Sequence, residues 1–200
     1  MSIAAADGTG IVRVLPCPQH YCEPTDWSPD GERLLVNVHG EHGSNVWTVS
    51  TDPAKAAQPL LAEGFTERDA RISRDGRWIA YVSDESGLAE VSVRNLSGPP
   101  RRFVISRGGG DQPVWRRDGA ELFYVDLKGR LRSVAVRPAS DGNLVFGAPV
   151  ELNVPTIGAG HWGTQYDVSP DGGRVYFLQS DGLRTRDDVG VVMGWRALVR

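Results

Sequence analysis

Asp26-Trp27-Ser28-Pro29-Asp30-Gly31, followed two residues later by the apolar run Leu34-Leu35-Val36, decides the fold because it recurs. Its counterparts are Arg71-Ile72-Ser73-Arg74-Asp75-Gly76 before Trp78-Ile79-Ala80-Tyr81-Val82, and Val114-Trp115-Arg116-Arg117-Asp118-Gly119 before Leu122-Phe123-Tyr124-Val125. A fourth copy is Asp167-Val168-Ser169-Pro170-Asp171-Gly172 before Val175-Tyr176-Phe177-Leu178. The Asp-Gly pairs begin at 30, 75, 118 and 171, at intervals of 45, 43 and 53 residues. Two of these intervals fall at the roughly 40–45 residues of a four-stranded propeller blade.

The chemistry of the repeat supports that reading. Proline presets the first central position of a turn, aspartate bonds back to nearby backbone, and glycine takes the left-handed conformation that closes a tight hairpin. The run after each turn is apolar without alternation. A sheet with one wet face would alternate, so these strands are covered on both faces, as a blade is by its two neighbours. Third strands are predicted near 45–49, 89–93, 131–136 and 189–195, and outer strands near 59–62, 102–105 and 149–154. The segment 10–15 reads as a strand with no repeat of its own. Either 11–15 completes the last blade and closes the ring, or it is the outer strand of a preceding blade. The expected architecture is an all-β propeller of about four four-stranded antiparallel blades, a complete small ring or part of a larger one.

Composition agrees. Gly contributes 24 and Pro 13 of 200 residues, which the hairpin turns absorb, and 40% hydrophobic residues suffice for a core. A net charge of −3 gives no basic surface for nucleic acid, so no nucleic-acid partner is expected. No stretch approaches the roughly 18 apolar residues of a spanning helix, so membrane insertion is not expected either.

The pattern of an apolar residue, Ser-Pro-Asp-Gly, two residues and an apolar strand resembles the repeat of TolB-like propellers, relatives of the Trp-Asp repeat proteins. Similar propellers precede the hydrolase domain of prolyl-oligopeptidase-type enzymes. The stretches 112–136 and 166–178 and the closing Val191-Val192-Met193-Gly194-Trp195 also resemble the C-terminal end of bacterial multidomain kinases and regulators. The resemblance spans 10–200, leaving 1–9 as an expected flexible N-terminus. It implies a periplasmic or other extracytoplasmic location, and rings of six or more blades, so self-association is expected if the ring is incomplete.

Strand order predicts a sidedness. The Asp-Gly turns mark one face, and the opposite face receives the longer loops. All four histidines and both cysteines fall in those loops, making that face the expected binding surface. Cys17, His20 and Cys22 lie on one loop and His39 and His42 on the next hairpin, a donor set suited to a soft divalent ion such as zinc. The spacings match no established zinc motif, and a Cys17–Cys22 disulfide or two free thiols are the alternatives, so no cofactor is expected. His39, His42, His161 and Trp162 are the candidate contacts for a partner, although a loop tryptophan also folds back over blade tops. Trp27, Trp78, Trp115 and Trp195 read as core. Near the axis, Asp26, Arg71 and Asp167 either line a channel or pair between blades.

No Gly-x-Ser-x-Gly nucleophile elbow, phosphate-binding Gly-rich loop or kinase Asp-Phe-Gly occurs in these 200 residues. The expectation is therefore a non-catalytic module that recognises a protein or peptide through the long-loop face or the channel mouth. The alternative is an enzyme-type metal or small-molecule site on the Cys/His-bearing loops.

Overall fold

The computed structural model describes residues 2–3, 13–19, 21–41, 43–157, 163–179 and 188–193. These residues form strands joined by turns, with no helix among them. A short antiparallel pair, β1 (Ser2–Ile3) and β2 (Arg13–Val14), precedes four antiparallel sheets. Blade 1 is β3 (Cys22–Trp27), β4 (Arg33–Gly40), β5 (Gly43–Ser50) and β6 (Gln58–Leu61), in that spatial order. Blade 2 is β7 (Glu67–Ile72), β8 (Trp78–Ser83), β9 (Glu90–Asn95) and β10 (Arg102–Val104). Blade 3 is β11 (Asp111–Trp115), β12 (Glu121–Val125), β13 (Leu131–Pro138) and an outer edge in two pieces, β14 (Leu144–Phe146) and β15 (Val150–Glu151), both paired with β13. In blade 4, β16 (Tyr166–Val168), β17 (Arg174–Gln179) and β18 (Asp188–Met193) are described.

Each Asp-Gly turn is built alike. The amide of Gly31, Gly76, Gly119 or Gly172 donates to the carbonyl three residues back at 2.8–2.9 Å, and the glycine takes φ of 68–75°. Ser28, Ser73 and Ser169 donate their hydroxyls to the turn aspartate at 2.5–2.6 Å. In blade 3 Arg116 replaces the serine, and its Nε donates to Asp118 Oδ1 at 2.6 Å. One local device therefore starts every blade, with the aspartate held by an adjacent donor.

The apolar runs divide by parity between two neighbours. Ile79 and Tyr81 face blade 1, against Leu35, Val46 and Leu61, whereas Trp78, Ala80 and Val82 face blade 3, against Leu122, Tyr124, Val134 and Val136. Phe123 and Val125 then meet Tyr166, Val175 and Phe177 of blade 4. Each fully buried large side chain contributes about 1.5–3 kcal/mol, so the inter-blade seams are the core. The other face of blade 1, with Leu34, Val36 and Val38, is covered by Leu15. The segment before blade 1 therefore caps that face. Arg13 and Val14 pair with Ile3 and Ser2 and not with β18. No strand pairing joins the first sheet to the last among the described residues, so the sheets do not close into a ring.

Two expectations need correction. Trp27 is 44% exposed instead of core, because its side chain lies over the Asp-Gly turn with its Nε1 near Gly31. The outer edge of blade 3 also begins earlier than 149, at Leu144. Trp78 is buried, Trp115 is partly so, and Trp195 lies outside the described residues.

Candidate functional site

The inner strands β3, β7, β11 and β16 carry the polar residues that meet at the axis. The first three break register, between Pro24 and Asp26, Arg68 and Arg71, and Asp111 and Val114. At the equivalent bulge positions Asp69 and Gln112 both adopt φ of 55°, a left-handed conformation that non-glycine residues take at a cost. The bulge turns the backbone so that each inner strand bonds to its neighbour. Asp69 N donates to Asn37 Oδ1 at 2.9 Å, and Gln165 N donates to Gln112 Oε1 at 2.8 Å. Tyr166 Oη donates to the Gln112 carbonyl at 2.8 Å, and burial pushes that phenol well above its ordinary value.

Charged groups complete the stitching. Arg68 donates both terminal nitrogens to Asp111 at 2.6 and 2.8 Å and also reaches Asp69 at 2.5 Å. Burial alone would lower the Arg68 pKa, but the Asp111 and Asp69 carboxylates outweigh it and hold the guanidinium charged. Arg71 donates to the Thr25 carbonyl of blade 1 and to Thr164 Oγ1, just before blade 4, the latter at 2.8 Å. Trp115 Nε1 donates to the Arg71 carbonyl at 3.0 Å. Asp26 accepts from Ile72 N at 2.7 Å and Trp27 N at 2.8 Å. Burial raises the Asp26 pKa, against those two amides and the Arg71 charge.

Beside this stitching lies a cavity of about 490 Å³ to which all four inner strands contribute, with Asp26, Arg71, Trp115, Thr164 and Asp167 in its wall. It opens among the Asp-Gly turns, where Arg74, Arg116 and Arg117 line it. A concave site with convergent polar groups from several elements is the usual place for a ligand. A larger cleft of about 1100 Å³ lies between the outer strands of blades 2 and 3, where the Phe103 and Phe146 rings stand 5.2 Å apart. It is peripheral, and only two blades contribute to it.

The residues singled out from sequence are distributed differently. Asp26, Arg71 and Asp167 do come together, as a channel wall and, for Asp26 and Arg71, as inter-blade bonds as well. Cys17 and Cys22 are joined in a disulfide, a state in which neither sulfur is a thiolate ligand. His39 sits at the end of β4, its Nδ1 2.9 Å from Ser44 Oγ, its Nε2 3.6 Å from Glu23 and its ring 5.0 Å from that of Tyr21. His20, His42, His161 and Trp162 lie outside the described residues. Among the described residues no three His, Cys, Asp or Glu side chains gather to hold a metal ion. Sequence reasoning missed Arg68, Asp111, Gln112 and Thr164. The available signal was the 43-residue interval, which sets Asp69 and Gln112 at one structural position.

No family model matches the chain. The uncharacterized peptidase YuxL of Bacillus subtilis is 28% identical over 147 residues, covering 70% of this chain and 21% of that protein. The dipeptidyl aminopeptidase BI of Pseudoxanthomonas mexicana is 27% identical over 139 residues, covering 58% of this chain and 19% of that protein. The chain thus spans about a fifth of the length of these curated relatives. Both are peptidases, and this overturns the expectation of a non-catalytic, non-enzymatic module. The missing nucleophile elbow describes these 200 residues alone, whereas the matched segment is only about a fifth of each relative. Among solved structures, TolB from Acinetobacter baumannii superposes with a TM-score of 0.62 at 12% identity, covering 87% of this chain and 41% of that one. With four repeated antiparallel sheets packed through their faces, the chain has the fold of a TolB-like β-propeller.

Proposed function

We propose that the chain is the propeller of a peptidase-type hydrolase and that its axial cavity receives part of the peptide substrate. The observation that carries this reading is that the two sequence relatives are both peptidases. The cavity supplies the geometry. It is bounded by four inner strands and presents guanidinium, carboxylate, hydroxyl and indole groups within one concave wall, the mixture that suits a peptide with its alternating amide dipoles. The strands that carry these groups are locked by inter-blade bonds, so the wall is held in shape before a ligand arrives.

The Cys17–Cys22 disulfide favours an oxidising, extracytoplasmic compartment, since such bonds rarely persist in a reducing cytosol. Among the described residues no helix is long and apolar enough to cross a membrane.

The test is direct. The protein as its host produces it is incubated with aminoacyl and dipeptidyl p-nitroanilides and with a mixed peptide library read by mass spectrometry. Cleavage above a heat-inactivated control is expected, and failure to cleave any peptide overturns the proposal.

A further inference from the structure

We infer that the axial cavity selects peptides that bring a carboxylate to its mouth, where Arg74 and Arg117 receive it. The peptide part of this inference rests on the peptidase reading; the preference for an anion rests on the turn arginines alone.

Arg74 and Arg117 occupy the same place in consecutive turns, the first central position, where the outer pair of blades carries Pro29 and Pro170. Proline suits that position because its ring presets φ, and arginine has no such advantage there. The turns of blades 2 and 3 nevertheless bond as the proline turns do, so the arginines are not needed to close them. Both are exposed, both line the cavity, and neither pairs with a carboxylate among the described residues. Nearby arginines differ in this respect. Arg77 is paired with Asp75, and Arg116 is paired with both Asp118 and Glu121.

The acids in the cavity do not cancel these charges. Asp26 is engaged by the amides of Ile72 and Trp27, and Asp167 by the amide of Val168 at 2.8 Å. Arg71, Arg74, Arg116 and Arg117 line the cavity with Asp26 and Asp167, and the Asp118 and Glu121 carboxylates are held on Arg116, so among the described residues the Arg74 and Arg117 guanidiniums are the charges left unpaired at the mouth. Each guanidinium fork presents the planar donors that a carboxylate accepts in bidentate fashion. That carboxylate can be a peptide C-terminus or an acidic side chain.

Three peptides separate these sources: N-acetyl-Ala-Ala-Ala as the free acid, the same peptide as its amide, and N-acetyl-Ala-Glu-Ala amide. Each is titrated into the full 200-residue chain and followed by NMR. The variant is Arg74→Pro with Arg117→Pro, the residue already present in the equivalent turns of blades 1 and 4, so folding is retained and circular dichroism verifies it. One or both carboxylate peptides should bind roughly three- to tenfold more tightly than the neutral amide at low salt. The free acid alone would assign the C-terminus, and the Glu peptide alone would assign a side chain. The preference should vanish in the double variant and shrink in 0.5 M NaCl. Equal binding of all three peptides, or a preference that survives the double variant, overturns the inference. Peptide cleavage without charge preference would remove this inference and leave the peptidase reading standing; charge preference without cleavage of any peptide would do the reverse.

Discussion

Replacing Asp111 by asparagine tests whether blades 2 and 3 are stitched by charge. The carboxylate accepts two bonds from Arg68, at 2.6 and 2.8 Å, and the two side chains are only 28% and 25% exposed. Asparagine keeps the shape, and its carbonyl can still accept one bond, but its amide then faces the second guanidinium nitrogen with donor against donor. Exposed pairs contribute about 0–1 kcal/mol, and breaking a fully buried pair costs about 3–5 kcal/mol. This pair lies between those limits, and Asp69 at 2.5 Å remains to keep Arg68 from standing bare. The expected cost is therefore about 2 kcal/mol, or roughly 4–8 °C in Tm for a chain of this size. Urea unfolding of wild type, Asp111→Asn, Arg68→Met and the double variant should give a coupling of about 1–2 kcal/mol, largely retained in 0.5 M NaCl because the pair is mostly shielded from solvent. A cost below about 0.5 kcal/mol, or a coupling near zero, would mean that apolar seams alone hold these blades and that the stitching argument fails.

Four further outcomes follow from the same structure. Gly129→Ala places a Cβ 2.7 Å from the Ile157 carbonyl at φ of 73°, whereas Gly76→Ala at φ of 70° meets nothing within 4 Å. Thermal melts should show a loss of about 1 kcal/mol at Gly76 and at least twice that at Gly129, where backbone must move. Burial raises the Glu67 pKa above 4.5, and Glu63 and Asp84 add to the effect, so the stabilisation of its protonated form is complete below about pH 4.5 and lost as pH rises through the raised value. Glu67→Gln should therefore gain stability relative to wild type between pH 5 and 7, and unfolding free energies compared across that range would expose a difference that stays flat. Reduction of Cys17–Cys22, which closes a loop of sequence separation 5, should cost about 2 kcal/mol, read as a fall in Tm on adding a phosphine reductant. Trp115→Phe loses the bond to the Arg71 carbonyl and should cost about 1 kcal/mol more than Trp27→Phe, which loses only a partly exposed indole.

What could be read from the sequence was whatever one chain segment decides locally. The Asp-Gly turns were legible because serine, aspartate and glycine bond within six residues, and the run Leu122-Phe123-Tyr124-Val125 was legible because burial on both faces leaves no polar alternation. Asp26, Arg71 and Asp167 were legible as axial residues once the strand order was set. The Arg68–Asp111 pair was not, since its members lie 43 residues apart and nothing in either strand marks a bidentate partner. The positive φ at Asp69 and Gln112 was hidden for a different reason. The usual marker of that conformation is glycine, and here tertiary bonds, donated to Asn37 and accepted from Gln165, hold a side-chain-bearing residue in it. The part that Arg74 and Arg117 play in the cavity wall was not legible, because this turn position accepts many side chains and nothing local shows that two turns meet at one cavity.

Trp27, Ile72, Trp115 and Val168 hold one position in the repeat, just before the turn, and their different fates follow from what lies beside each blade. Trp115 reaches back to blade 2 and bonds to the Arg71 carbonyl, so an inner-strand aromatic at this position is a device for gripping the preceding blade. Trp27 carries the same side chain on blade 1, yet the described residues place no blade before it, and its indole turns over its own Asp-Gly turn and stays 44% exposed. The same asymmetry appears in the apolar face of blade 1, which Leu15 covers where a neighbouring sheet covers the equivalent face in blades 2 and 3. Arg71 works across the array in the other direction, bonding to Thr25 of blade 1 and to Thr164 just before blade 4, so that four sheets with no closing strand pair among the described residues still converge on one wall. The cavity is therefore shaped by side-chain bonds between blades more than by ring closure, and any ligand that enters it meets the same residues that hold the blades together.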